Sequence, residues 1–337
     1  MSKWSSHKKY YEEALTYMRR RQKGKISSYK LPWPKINNAG INGLEYHSIT
    51  IIGARPGGGK TVAQDQIIRE GFTLNKKQDI RALQFQLEMV GRNSKLREFS
   101  AVSKQSYKQL CSAETEGVVI TDEIINKCHQ HAIKAAKYPI DIVDSPCTAL
   151  EFKKIVIDYM KTNVKEINPG TDKAVKVYRN TVITLDHSVL IKKQKGQSTM
   201  DMLNQLGEVL TELKKEYPIA FIILSQLNRD INNPARAENG KYGNYILESD
   251  IFGADALLQH ADMVIGLDRP ALRHISEYGP DRYLIEDDSV LVAHILKTRT
   301  GDTRMSFLRA EFHNMRITEM ETPGLAEVKG KFNKSDK

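Results

Sequence analysis

Cysteine is scarce in this 337-residue sequence: Cys111, Cys128 and Cys147 stand far apart, with no C-x-x-C pair. That usage reads as buried or free reduced thiols rather than a disulfide framework or a redox or zinc motif. No apolar run approaches the roughly 20 residues that span a bilayer. The opening residues, MSKWSSHKKYYEEA, lack the apolar stretch of a signal peptide. The expected setting is therefore intracellular, in the cytoplasm and without a membrane partner. No internal repeat is visible. Negative charge is the scarcer sign, with 41 Asp and Glu against 51 Lys and Arg, a net charge of +10. A basic balance of this size favours polyanions such as nucleic acid.

Apolar content of 40% and charged content of 27% are ordinary for a folded chain of one large or two moderate domains. Residues 8–22, KKYYEEALTYMRRRQ, place Tyr11, Ala14, Leu15 and Met18 at helical spacing and predict a short amphipathic helix. The following KGKISSYKLPWPKINNAG (23–40) is rich in Lys, Ser, Pro and Asn and reads as a linker. From about residue 40 the chain alternates between strand and helix patterns. SITIIGA, IRALQFQLE, YPIDIVDS, NTVITLDHS, IAFIILSQ, ADMVIGLDR and SVLVAHILKTR read as strands. KTVAQDQIIREGFTL, TALEFKKIVIDYMKTNV and DMLNQLGEVLTELKKEY read as helices, the last with Leu203, Leu206, Leu210 and Leu213 on one face. Near-continuous apolar strands alternating with helices predict an α/β fold with a mainly parallel central sheet flanked by helices. The expected division is an N-terminal helix and linker (1–39), one large α/β domain (40–320) and a basic disordered tail (321–337). The Gly/Asn-rich stretch 228–249 is expected to be a mobile loop.

IIGARPGGGKT (51–61) ends in the G-K-T of a phosphate loop, yet Ala54 stands where the general pattern G-x-x-x-x-G-K-[ST] has its first glycine. Its context is right: a strand precedes it and a helix follows, so backbone N–H groups converge on phosphate at the helix N-terminus. Residues Ala54, Arg55, Pro56, Gly57, Gly58, Gly59, Lys60, Thr61 and Val62 are the expected ATP-binding segment. Lys60 is placed to reach the β/γ-phosphates and Thr61 to bind Mg²⁺. Arg55 either contacts phosphate or braces the loop from outside, and the sequence does not choose.

GARPGGGKT closely resembles the loop of the DnaB-type replicative helicases, which have a RecA-like P-loop NTPase motor. Five further segments resemble that family's motifs in order: FQLEM (85–89), VITLDH (182–187), LSQLNR (224–229), SDIFGADALLQHADMVI (249–265) and LKTRTG (296–301). The resemblance covers residues 41 to about 317. It implies that Glu88 orients or activates the attacking water and that Asp186 holds Mg²⁺. It also implies that Gln226 contacts the γ-phosphate and reports hydrolysis to the DNA loops. Lys297 and Arg299, two apart on a strand, are expected to share a face. By resemblance they serve a neighbouring subunit's nucleotide, as an arginine finger in trans. That arrangement needs a head-to-tail ring or filament, a hexamer by resemblance. His187 has no role that the sequence supports.

Two loops are expected to follow single-stranded DNA. The first, SVLIKKQKGQS, offers Lys192, Lys193 and Lys195 to phosphates. The second departs from the family's Arg-Glu-Ser-Gly and reads Phe252-Gly253-Ala254-Asp255. Backbone N–H groups of Gly253 and Ala254 remain for phosphate, and Phe252 either stacks on a base or packs. A further departure is the N-terminal side, where about 40 residues stand in place of the family's collar domain. Helix 8–22 resembles the linker helix that docks on the neighbouring motor, while the collar and primase platform are expected to be absent. A helicase loader or primase is the expected further partner. Residues 163–180 read as an exposed insertion. The expected function is an ATP-dependent, ring-forming helicase in DNA replication. The alternatives are a RecA-like recombination or mediator ATPase and a regulatory ATP-binding subunit.

Overall fold

The computed structural model describes residues 5–89, 91–112, 114–115, 117–167, 174–238 and 243–326. Along the chain come helices α1 (His7–Gln22) and α2 (Pro34–Asn37), strand β1 (Ser48–Ala54), α3 (Lys60–Leu74) and β2 (Ile80–Gln86). Three helices follow, α4 (Gly91–Ser103), α5 (Tyr107–Cys111) and α6 (Asp122–Ala135), then β3 (Ile140–Val143) and α7 (Ala149–Thr162). A hairpin of β4 (Val164–Ile167) and β5 (Val175–Tyr178) precedes β6 (Asn180–Asp186), α8 (Thr199–Glu216), β7 (Ile219–Gln226) and α9 (Pro234–Glu238). The chain closes with α10 (Ala254–Leu257), β8 (Met263–Asp268), the short pair β9 (Glu277–Tyr278) and β10 (Tyr283–Leu284), and β11 (Val290–Thr298), β12 (Arg304–Glu311) and β13 (Arg316–Glu319).

Nine strands form one sheet in the order β13-β12-β11-β8-β1-β7-β6-β2-β3. The six from β8 to β3 run parallel, and β11, β12 and β13 add an antiparallel edge. The expected mainly parallel α/β sheet is therefore present. Strands β1 and β6 and most of β7 are buried along their length because helices cover both faces. On one face α7 and α8 pack Phe152, Val156, Leu203, Leu206, Leu210 and Leu213 against β1, β2, β6 and β7. Capping boxes fix the start of both helices: Thr148 with Glu151, and Ser198 with Asp201. On the other face α3 packs Val62, Ala63, Ile67 and Ile68 against the same sheet.

The expected linker over 23–40 is corrected over its second half. Tyr29, Leu31, Trp33, Ile36 and Ala39 lie within the second apolar layer. The Trp33 indole N–H donates to the Ile317 carbonyl at 3.1 Å, and the Tyr29 hydroxyl donates to that of Ile67 at 3.0 Å. Composition was misleading because the polar residues here close a strap whose apolar residues point inward. The packed α/β domain thus begins near residue 28 rather than 40. Helix α1 forms as expected, and its Tyr11, Leu15 and Met18 face solvent at 62%, 52% and 64% exposure.

Within 163–180, β4 and β5 pair antiparallel, apart from the main sheet. Within the stretch 228–249, Arg236 forks onto Asp250 at 2.6 and 2.9 Å, anchoring part of what reads as a loop. Residues 168–173, 239–242 and 327–337, with most of the expected tail, lie outside the described residues. Among the described residues no helix is long and apolar enough to cross a membrane.

Candidate nucleotide site at the carboxyl ends of the strands

Parallel α/β sheets place their binding crevice outside the carboxyl ends of the strands. Here the carboxyl ends of β1, β2, β6 and β7 converge, and each brings one expected residue. Ala54 is the last residue of β1, paired in register with Gln226 and Leu267. It is an ordinary extended strand residue, so the first position of this loop needs no glycine. The turn then falls to Gly57, Gly58 and Gly59. Gly59 caps α3 with φ +86, in the left-handed region that L side chains rarely adopt, and a Cβ there would meet the Phe312 ring at 2.8 Å. The first-turn amides of α3, Val62 among them, are oriented for an anion. Pro56 is exposed, and the half-buried Arg55 side chain has no hydrogen bond or ion pair among the described residues.

The Lys60 ammonium stands 3.7 Å from Glu88 and 3.8 Å from Asp186. Thr61 donates its hydroxyl to the second oxygen of Asp186 at 2.9 Å. The Leu87 N–H donates to the Asp186 carbonyl, which ties the end of β2 to the end of β6 and brings Glu88 beside Lys60. The Asp186 side chain is only 6% exposed, and its Oδ1 has no hydrogen-bond partner. Burial pushes the Asp186 carboxyl up, and the Lys60 cation and Thr61 hydroxyl pull it back. A buried carboxylate oxygen without a donor, next to a hydroxyl, suits a hard divalent cation. Magnesium takes oxygen ligands and keeps much of its water, so it needs one or two protein oxygens rather than a cage. Among the described residues no group of three His, Cys, Asp or Glu forms such a cage. Thr61 and Asp186 therefore fit Mg²⁺ as the sequence suggests.

Gln226 ends β7, and its side-chain amide lies 3.3 Å from His187 Nε2. His187 is buried, and burial followed by the Lys60 cation holds its pKa below the usual value, so the ring is neutral and accepts from the amide. Sequence reasoning gave His187 no role; it links the ends of β6 and β7. The main chain of Gln226 goes further, for its carbonyl accepts the Phe252 N–H at 2.8 Å.

Lys297 and Arg299 lie elsewhere. The β11–β8 register shifts between Ile295 and Lys297, and Arg299 stands just past the strand. Even so, both cations reach the same turn, Lys297 onto the Leu258 carbonyl and Arg299 onto that of Gln259 at 3.3 Å. Arg299 also pairs with Asp262 at 3.5 Å, and Asp262 accepts from the Ile49 N–H at the amino end of β1. By register Lys297 stands level with Ile51 and Arg299 near Ile49, so along the strand they lie roughly 10 and 17 Å short of Ala54, where their own phosphate loop begins.

Lys192, Lys193 and Lys195 are exposed on the loop after β6. The second loop needs correction. Of the two expected amides, Ala254 donates its N–H to Ile251 at 3.0 Å and is not free for phosphate, while that of Gly253 has no backbone partner among the described residues; the Phe252 N–H donates to Gln226. The Phe252 and Ala254 side chains pack against the core, which settles the choice for Phe252. Gly253 is left-handed, φ +69, and a Cβ there would meet Leu203 at 2.4 Å, so packing also explains this glycine.

Sequence reading also missed two residues that brace the phosphate loop. The Arg269 guanidinium lies 4.4 Å over the Phe312 ring and donates to the Gly57 carbonyl at 3.4 Å. Arg269 follows the apolar strand MVIGLD, and a cation at that strand end was the available signal. Phe312 had none, because only the folded edge β11–β13 brings it to Gly59.

The family model for the DnaB-like helicase C-terminal domain matches residues 35–319. The replicative DNA helicase DnaB of Buchnera aphidicola subsp. Baizongia pistaciae (strain Bp) is 26% identical over 257 residues, 74% of this chain and 48% of the relative. The chain therefore spans about half the length of that relative. Among solved structures, the ATPase domain of G40P superposes with a TM-score of 0.73 at 17% identity, covering 92% of this chain and 98% of that one. A DnaB-like replicative helicase, described with its interactions with primase, gives 0.72 at 18% identity, covering 92% and 68%. A KaiC-like protein from Pyrococcus horikoshii OT3 gives 0.50 at 15% identity, covering 88% and 100%. These likenesses establish a RecA-like fold, and with the matched model over most of its length the chain belongs to the DnaB-like helicase C-terminal domain family.

Proposed function

We propose that the chain is an ATP-driven motor that translocates on single-stranded DNA as a ring, a hexamer by family, and separates strands in DNA replication. The observation that carries this reading is the split placement of charge: Lys60, Thr61, Glu88 and Asp186 meet at one end of the sheet, while Lys297 and Arg299 stand two strands across, level with Ile51 and Ile49, and bond to the turn at Leu258 and Gln259 instead. A complete site then needs a second subunit, whose cations approach the first subunit's nucleotide.

In this mechanism the amides of residues 57–62 hold the phosphates, and Lys60 turns from the two carboxylates to the β/γ oxygens. Thr61 and Asp186 hold Mg²⁺, which when bound neutralises charge on the phosphates. Glu88, half-exposed beside Lys60, accepts the proton of the attacking water or orients it. Arg299 and Lys297 of the adjacent copy stabilise charge on the transferred phosphoryl group. Gln226 senses that group, and its carbonyl passes the displacement to Phe252 and the second loop. Lys192, Lys193 and Lys195 hold the DNA backbone. A loader or primase is the fitting partner in replication.

Phosphate release tests this reading, measured with and without single-stranded DNA for wild type, Glu88→Ala, Arg299→Ala and an equimolar mixture of the two variants. Each variant alone is expected to be inactive, and the mixture to regain part of the DNA-stimulated rate. A mixture as inactive as its components overturns the shared site.

A further inference from the structure

The end of the sheet opposite the nucleotide site carries a groove of about 1210 Å³. It runs past the amino ends of β1, β2, β6 and β7. Its walls are the C-terminal part of α1, the turn between α3 and β2, and the β4–β5 hairpin. The hairpin is the insertion that no step of the motor mechanism uses.

Eight cationic side chains line this groove against two carboxylates. Lys165 and Arg179 share Asp79 at 3.1 and 3.7 Å, and Arg21 pairs with Glu45 at 3.6 Å. Arg20, Lys25, Lys30, Lys76 and Lys77 are exposed and have no ion pair among the described residues. Much of the chain's excess positive charge is thus gathered in one concavity, where low-dielectric walls strengthen its field.

The floor is fixed rather than adaptable. Asn75 accepts from the Lys30 N–H at 2.9 Å and donates to the Lys30 carbonyl at 3.1 Å. Gln78 donates to Ser28 at 2.9 Å and accepts from the Tyr46 hydroxyl at 2.9 Å. Lys30, Lys76 and Lys77 are therefore presented from one braced corner. Tyr17 and Tyr178 stand in the walls with 37% and 40% of their surface exposed.

We propose that this groove binds the sugar-phosphate backbone of a single nucleic-acid strand, separate from any strand held by the loops at the nucleotide end. Clustered cations fit a run of phosphates, and the part-exposed rings of Tyr17, with the Arg21 guanidinium 5.4 Å from its centroid, and Tyr178, edge-packed with Tyr217, fit unpaired bases, which a duplex keeps stacked inside. The length of β1 sets the two nucleic-acid paths about 20 Å apart. A motor with both can hold one strand at each end of the sheet.

The test is fluorescence anisotropy of the full chain with a labelled oligothymidylate across a salt series, without nucleotide. The groove variant is K30E/K76E/K77E. A control of equal charge, K127E/K134E/K137E, alters exposed lysines on or just beyond α6. A third variant, K192A/K193A/K195A, alters the loop after β6. The groove variant should bind about tenfold more weakly at low salt, with the slope of log affinity against log salt reduced by about 2. The control should bind as wild type does, and all but the loop variant should keep their ATPase rate without DNA. An iodouridine-substituted strand should cross-link to Tyr17 or Tyr178. The proposal is overturned if the groove and control variants weaken alike, if only the loop variant loses binding, or if the groove variant changes self-association and not DNA affinity. Because binding is read without nucleotide, a failed groove leaves the motor reading intact, and a failed motor leaves the groove's salt slope readable.

Discussion

The two ends of the central sheet treat charge in opposite ways. At the carboxyl ends, Lys60 and Asp186 are almost enclosed, at 11% and 6% exposure, and Lys60, Thr61, Glu88 and Asp186 meet through specific atoms. At the amino ends, Arg299 is 54% exposed and the lysines of the basic groove stand in water. Enclosure makes each interaction strong and geometrically exact in its demands, as phosphoryl transfer requires. Exposure leaves cations screened until a partner excludes the water around them. On the proposed reading the first end holds the nucleotide, and the second acts on something brought to it, whether a neighbouring subunit's nucleotide or a nucleic-acid strand.

Arg299→Ala is the sharpest way to break this contrast. If Arg299 acts only on a neighbour's nucleotide, its loss leaves binding of a fluorescent ATP analogue unchanged and lowers turnover about a thousandfold or more, roughly 4 kcal/mol. Lys60→Ala should instead lose both binding and turnover. Equal loss of nucleotide affinity in the two variants would mean that the ends are not functionally distinct.

The same contrast explains what the sequence disclosed. The carboxyl end was legible because its residues follow closely on apolar strands: Lys60 past SITIIGA across a five-residue glycine-rich turn, Asp186 directly after TVITL and Gln226 directly after IAFIILS. A motif at a strand end fixes both chemistry and place. The amino end was less legible because it is assembled from separated turns. No local pattern joins Lys30, Lys76 and Lys165, and only parallel pairing of β2, β6 and β7 gathers their loops. The strap 28–39 was missed for a related reason. Its Trp33 packs beneath β13 and bonds to Ile317, 284 residues further along the chain, and composition carries no trace of that contact. Helices α4–α6 were also left unread, since α4 buries only Ser94, Ser100 and Ser103 and so has no apolar stripe. Trp33→Ala should cost roughly 3–5 kcal/mol in urea unfolding, as for a buried indole. A cost below about 1 kcal/mol would restore the linker reading.

Asp186→Ala probes the enclosed end directly. It removes the acceptor for Thr61 and the proposed cation's carboxylate together, and turnover should fall by about 100- to 1000-fold, or about 2.7–4 kcal/mol. Mg²⁺-dependent nucleotide binding, followed by calorimetry, should weaken in parallel. Retained Mg²⁺ dependence would move the cation to other ligands.

The smallest effect sharpens the comparison most, because it asks whether enclosure itself is felt. Asp65 lies one turn beyond Thr61 on α3. Burial first, and then the Asp186 carboxylate, push its pKa up to about 7, while Arg97, Arg69 and Lys95 pull it back. In the unfolded chain the same acid ionises near 3.8. Between these values the unfolded chain has released a proton that the folded chain retains, so stability falls as pH rises from 3.8 to about 7 and then levels. Asp65→Asn removes this dependence. Its melting temperature should match wild type near pH 4 and exceed it at pH 7 and above, by the equivalent of roughly 1–2 kcal/mol. In an Asp186→Asn background one cause of the raised pKa is gone, so the gap in melting temperature opened by Asp65→Asn should narrow. A gap that stays constant across pH would show Asp65 to be as well solvated as the cations at the opposite end. A gap that widens with pH and narrows with Asp186→Asn is what two carboxylates in one enclosed site require.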